Sequence, residues 1–184
     1  MRKAVFSFLA FLLFMAFAAR SGFYPVALVE GTLIWKRSWR TAEEASRRFL
    51  AAKIYEAEKV VFDFSSPENQ PILRDIKKDT LTFLIEDVVL ERGGSELLPD
   101  FKELTKKRVD GVFAERPDTS EAALVLYGLD GQGFEKLVLI PQARIDVLKD
   151  ALGNEFDLWF SEAKKKANVQ LLLLPYRWDR EMIR

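Results

Sequence analysis

Neither cysteine nor histidine occurs among the 184 residues of this chain. Without them the usual zinc, haem and iron–sulfur ligand sets cannot be assembled, so no metal or cofactor is expected. Ser-His-Asp and Cys-His nucleophilic systems are excluded as well, because each needs an imidazole titrating near neutrality to carry the proton. A surplus of charge is missing too, with 28 basic residues standing against 28 acidic ones. A nucleic-acid-binding domain is expected to carry a basic excess, which leaves nucleic acid out as a partner. With no disulfide to staple it, the domain must hold together by packing alone. A hydrophobic fraction of 49% beside 30% charged residues is the balance of a folded domain with a sizeable core.

Long apolar runs are also scarce, with one exception at the N-terminus. Met1-Arg2-Lys3 precedes Ala4 to Ala19, a stretch whose one polar residue is Ser7. A basic start, an apolar centre and small residues at Ala16 and Ala18 fit a secretory signal peptide cut after Ala18. The rival is an uncleaved signal anchor. Sixteen helical residues span about 24 Å, short of a hydrocarbon core of about 30 Å, a gap that local thinning or snorkelling by Arg20 closes. Either form sends residues 21–184 out of the cytoplasm, secreted or held at the outer face of the cytoplasmic membrane.

In the remainder, Val26-Ala27-Leu28-Val29 and Thr32-Leu33-Ile34-Trp35 flank Glu30-Gly31, which predicts a tight β-hairpin. Glu30 is a poor residue for a positive φ, so a loop longer than two residues is the expectation. Near the other end, Val169 to Leu174 stops at Pro175 and reads as a buried strand. Since an isolated hairpin is marginal, this strand is expected to pair with it. Everything between reads as helix. Thr41 to about Phe62 carries Leu50, Ile54, Ala57 and Val61 on one stripe. Ser65 and Glu68 have capping-box spacing, with Pro67 in the first turn. The helix they open aligns Ile72, Ile76, Thr80, Leu84 and Val88 and is expected to end at Gly93-Gly94. A shorter helix carries Phe101, Leu104, Val109, Val112 and Phe113, and another runs from Glu121 to Gly128. Phe134 to Leu152 must kink or break near Pro141, which cannot donate to the helical ladder. Gly153-Asn154 then separates it from a last helix, Glu155 to Ala167.

Motifs with chemical content are few. Ser161-Glu162-Ala163-Lys164 matches the Ser-x-x-Lys spacing of penicillin-recognising enzymes but sits on a predicted amphipathic helix, without Lys-Thr-Gly or Ser-Asp-Asn partners. Asp130-Gly131-Gln132-Gly133 lacks the preceding strand and following Gly-Lys-Ser of a phosphate loop, and reads as a turn with an N-cap. The many carboxylates lie mostly on Glu/Lys-rich helix faces, where solvated i,i+4 pairing explains them. A carboxylate pair for glycoside hydrolysis stays as a third-ranked alternative. No catalytic residue is expected. Four tryptophans, Trp35, Trp39, Trp159 and Trp178, are less easily placed in a core pattern. Trp is favoured at binding surfaces because its body is apolar and its tip polar, and Trp35 and Trp39 are the candidate peptide-binding residues.

The opening Val26-Ala27-Leu28-Val29-Glu30-Gly31-Thr32-Leu33-Ile34 is similar to the "V-x-x-V-N-G-x-x-I" hairpin of SurA- and PrsA-type exported foldases. Leu84-Ile85-Glu86-Asp87-Val88-Val89-Leu90-Glu91 resembles that family's "L-I-x-x-x-L-L-x-x" segment. In the family a late helix and strand return to complete the module, as Glu155 to Leu174 would here. The resemblance covers most of residues 24–174 and implies a mainly α, SurA N-like helical chaperone domain. Its small antiparallel sheet would combine the N-terminal hairpin with a C-terminal strand. Two departures stand out. Glu30 replaces the hairpin Asn, and no parvulin segment is present, so prolyl isomerase activity is not implied. The function this suggests is extracytoplasmic binding of apolar segments of unfolded or newly exported polypeptides, without cofactor or nucleotide. The alternative is an envelope assembly protein with one dedicated partner.

Overall fold

The computed structural model describes residues 21–184. The Ala4–Ala19 segment lies outside the described residues, and among those described no helix is long and apolar enough to cross a membrane. The fold is mainly α with a small three-stranded antiparallel sheet of order β2-β1-β3. Strands β1 (Pro25–Val29) and β2 (Thr32–Trp35) form the hairpin, and β3 (Val169–Leu171) pairs with the free side of β1. The expected return of the C-terminus to the hairpin is therefore present, with Ala27 opposite Leu171 and Val29 opposite Val169.

The hairpin turn departs from the sequence expectation. Val29 pairs directly with Thr32, leaving a two-residue loop in which Glu30 (φ 50°) and Gly31 (φ 83°) both lie in the left-handed region. That is the arrangement a two-residue turn of matching twist requires. Glu30 tolerates it because its carboxylate is engaged elsewhere. Oε1 accepts a 2.6 Å hydrogen bond from the Asn168 amide, and the Glu30 amide donates to the Asn168 carbonyl at 3.0 Å. Arg92 approaches the second carboxylate oxygen at 3.5 Å. The side chain thus clamps the entry to β3 onto the hairpin. Beyond Leu171 the chain leaves strand geometry, and Leu173 turns at φ 57°, so the strand is shorter than the apolar run and only half-buried.

Seven α-helical segments follow β2 in the described chain: α1 (Lys36–Glu58), α2 (Gln70–Leu97), α3 (Phe101–Glu115), α4 (Thr119–Tyr127), α5 (Gly131–Phe134), α6 (Ile140–Leu152) and α7 (Phe156–Lys166). Helix α1 starts five residues earlier than its periodicity suggests and stops at Lys59, which adopts a left-handed cap. Its buried residues are Trp39, Ala42 and Ala45, while Ala57 and Val61 are exposed rather than part of an apolar stripe. The expected Ser65–Glu68 capping box does not form. Asp63 instead accepts from the backbone and hydroxyl of Ser65, and these bonds hold its carboxyl below its ordinary range. A 3-10 turn at Pro67–Asn69 then leads into α2.

Helix α2 runs through Gly93-Gly94 for another turn. The glycines serve close approach and not termination. A Cβ at Gly94 would lie inside van der Waals contact with the Phe101 ring, and one at Gly93 would meet Trp159 at 2.9 Å. Pro141 is accommodated as expected by a break in the regular ladder. A π-helical turn, Glu135–Leu139, precedes α6 and places Pro141 in the first turn, where its missing N–H is harmless. Gly128 ends α4 in the left-handed conformation, and Asp130 caps α5 by accepting from the Gly133 amide at 2.7 Å.

Two apolar clusters organise the packing. One joins Val26, Val29, Ile34 and Trp39 to Leu81, Ile85 and Val89 of α2 and to Ile183 from the C-terminal tail. The other gathers Leu90, Phe101, Val147, Leu148 and Phe156. Phe160 touches both, so the described residues share one continuous core.

Candidate functional site

Trp35 and Trp39 fall on opposite sides of the strand–helix junction. Trp39 is buried, and its indole N–H donates to the Lys77 carbonyl at 3.0 Å and the Thr80 hydroxyl at 3.2 Å. Tyr176 packs edge-on against it, and the Lys36 ammonium lies 3.7 Å above its ring. Partial burial pushes the Lys36 amine below its ordinary pKa. With its polar tip satisfied and its ring enclosed, Trp39 is a core residue and offers no surface to a peptide. Trp35 is exposed on the outer face of β2 beside Leu33.

Further apolar surface lies elsewhere, on residues that include Val61 and Ile72, which periodicity had placed on buried stripes. From Ser46 to Asp79 no residue is buried, although this span includes the second half of α1, its exit loop and the first two turns of α2. Tyr55, Val60, Val61 and Ile72 are exposed along this arm. Helix α4 attaches to it, with Tyr127 stacked on Phe49 at 4.8 Å and Gly128 against the Arg48 side chain. Only Ala123 of α4 is buried, leaving Leu124, Val125 and Leu126 open to solvent, with Val125 75% exposed. A signal for this was present in the sequence. Ala122-Ala123-Leu124-Val125-Leu126-Tyr127 has no polar face, which a surface helix ordinarily shows. Between α1 and the exit loop a cleft of about 410 Å³ is walled by Phe62 and Phe64, with Arg47 stacked 4.9 Å over Phe64 and Glu43 and Glu44 opposite.

A second cleft, about 510 Å³, runs between α2 and α7 beside the hairpin turn. Val89, Leu97, Trp159 and Ala163 line it together with the charged Arg92, Glu96 and Lys166.

The chemically suggestive motifs have structural partners. Lys164 of the Ser-x-x-Lys sequence pairs with Glu86 at 2.9 Å and lies 5.0 Å over Phe160. Its ammonium is committed to α2 and not to Ser161. Among the described residues no group of three or more Asp or Glu side chains is placed to hold a metal ion. The best-enclosed carboxylate is Asp87, which accepts a 2.6 Å hydrogen bond from Arg144, while the other guanidinium nitrogen reaches Glu91 at 2.8 Å. This fork ties α6 to α2.

Burial pushes the Asp87 carboxyl above its ordinary value, and the attraction of Arg144 offsets this only in part. The native state therefore holds the Asp87 proton more tightly than the unfolded chain does. Its contribution to stability is fullest below the ordinary aspartate range and falls as pH rises through that range to the raised value. Asp87→Asn keeps an acceptor for Arg144 and removes this titration. Relative to wild type, its melting temperature should improve as pH rises across that window. Thermal melts at matched ionic strength check this, and a difference independent of pH would reject it.

Comparison with protein-family models, with curated proteins and with solved structures gave no match.

Proposed function

We propose that this chain is an exported chaperone-like protein that binds apolar segments of unfolded or newly exported polypeptides without ATP. The observation that carries the reading is the arm from Ser46 to Asp79 with α4 at its side. The stretch has no buried residue and exposes Tyr55 on helix and Val60 and Val61 on the exit loop, while α4 exposes Leu124 and Val125. Exposed large apolar side chains in such number on neighbouring elements mark a surface suited to meeting partners. The mainly α fold, with a C-terminal strand closing an N-terminal hairpin, is consistent with the resemblance to SurA- and PrsA-type modules. The Ala4–Ala19 segment supports placement outside the cytoplasm, secreted or membrane-held. No proton-transfer pair or prolyl isomerase segment enters the proposal.

The mechanism is reversible cover. Fully burying one Val or Leu side chain contributes about 1.5–3 kcal/mol, whereas ordering a flexible client costs several kcal/mol. A few half-covered contacts leave a small net gain, so binding should be weak, rapid and tolerant of client sequence. Residues 20–184 are expected to slow aggregation of an unrelated unfolded protein in light scattering, without nucleotide. Val61→Ser combined with Val125→Ser should remove most of that effect while leaving the melting temperature unchanged, because neither side chain is packed. Trp35→Ser should have a smaller effect. Capture of one folded envelope protein, with no effect on unfolded clients, would replace this reading by that of a dedicated assembly partner.

A further inference from the structure

The outer face of the sheet carries a separate apolar patch whose position along the chain is informative. Leu33 and Trp35 alternate with Ile34 on β2, so Ile34 enters the core while both neighbours point away from the helices. Phe23 joins them. The Lys36 amide bonds the Tyr24 carbonyl, the Arg37 amide bonds the Gly22 carbonyl, and the Arg37 guanidinium lies 5.6 Å over the Phe23 ring. Phe23, Leu33 and Trp35 are 54%, 42% and 41% exposed. β2 is an edge strand, so neither its outer face nor its free edge is covered by another described strand.

Three observations select what covers this face. The apolar run ends at Ala19, and four residues reach at most about 14 Å, so an uncleaved run holds Phe23 within that distance of the bilayer surface. The cations next to the patch are Arg20, which directly follows the apolar run, and Arg37, whose guanidinium lies over Phe23. Such cations act over about one Debye length, roughly 8–10 Å, a distance within the tether's maximal reach of about 14 Å. The side chains are also of the right kind, since Trp favours the headgroup region with its ring partly in lipid.

We infer that the outer face of the sheet, through Phe23, Leu33, Trp35 and Arg37, seats on the surface of an anionic bilayer. The inference rests on the reading of Ala4–Ala19 as a membrane anchor, and its test separates the two.

The chain has no cysteine, so Leu33→Cys gives a single labelling site at an exposed position. The full-length variant, carrying an environment-sensitive fluorophore there, is reconstituted into phosphatidylcholine vesicles containing about a third phosphatidylglycerol. Val125→Cys on α4 is the control. At position 33, iodide quenching should fall roughly fivefold relative to position 125, and brominated acyl chains should quench the label. Arg37→Glu should return part of the iodide access. If the protein floats with vesicles while position 33 stays as open to iodide as position 125, the seat is wrong and the anchor stands. If position 33 is shielded from iodide yet untouched by brominated lipid, protein covers it, as a second copy or the leader, and the seat is again wrong. Failure to float with vesicles at all would overturn the anchor and the seat together.

Discussion

Deletion of residues 168–184 is expected to abolish cooperative unfolding and not merely to trim a tail. The deletion removes β3 from β1, the Asn168 partner of Glu30, and the bond from the Leu172 amide to the Val26 carbonyl. It also removes Ile183, which is buried in the main cluster with its amide on the Thr82 hydroxyl, and Tyr176, which packs on Trp39. Val26, Ala27 and Val29 have no exposed surface in the intact fold, so their uncovering leaves backbone groups unpaired and apolar surface wet at once. Ile183→Ala isolates the packing part of this effect. It should cost about 2–4 kcal/mol, the range of large-to-small substitutions at well-enclosed sites. Calorimetry checks both variants, and a truncated protein melting cooperatively at the wild-type temperature would reject the closure.

A pair of glycine substitutions should move stability in opposite directions. In a helix interior Gly→Ala ordinarily stabilises by about 0.5–1 kcal/mol, because alanine has less backbone entropy to lose. Gly111 of α3 has no atom within 4 Å of the new Cβ, so Gly111→Ala should follow that rule. Gly94→Ala should violate it. The new methyl would collide with the ring of Phe101, among the largest fully buried side chains, and the ring is held by α3 directly after the turn. Overpacking at a rigid site costs about 1–3 kcal/mol, which exceeds the propensity gain. Chemical denaturation at constant slope would measure both, and equal gains at the two sites would show that the α2–α3 contact is not tight.

The same contact explains where sequence reasoning stopped. Gly93-Gly94 looks like a helix terminus because a terminal glycine and a close-packing glycine are the same residue. Only the return of Phe101 and Trp159 distinguishes them. Glu30 is similar. Its φ preference argues against a two-residue turn, but the partner that offsets the strain, Asn168, is 138 residues away. The sheet itself was legible, since β-branched runs, Gly31 and Pro175 are local signals, and a marginal hairpin implies a third strand. Within the candidate site, Trp35 and Trp39 are indistinguishable as letters. Their separation across the junction between strand and helix sends one outward and the other onto Lys77 and Thr80. The arm was missed because Val60, Val61 and Phe62 extend an apolar pattern that the left-handed Lys59 interrupts.

Site-specific crosslinking tests the chaperone reading most directly. Photoreactive side chains placed singly at Val61, Val125 and, as a control, the exposed Asp157 of α7 are offered several unrelated unfolded proteins and their folded forms. The account predicts capture of each unfolded client from Val61 and Val125, several-fold above Asp157, and none of the folded forms. Equal capture from all three positions, or capture confined to one folded partner, would contradict it.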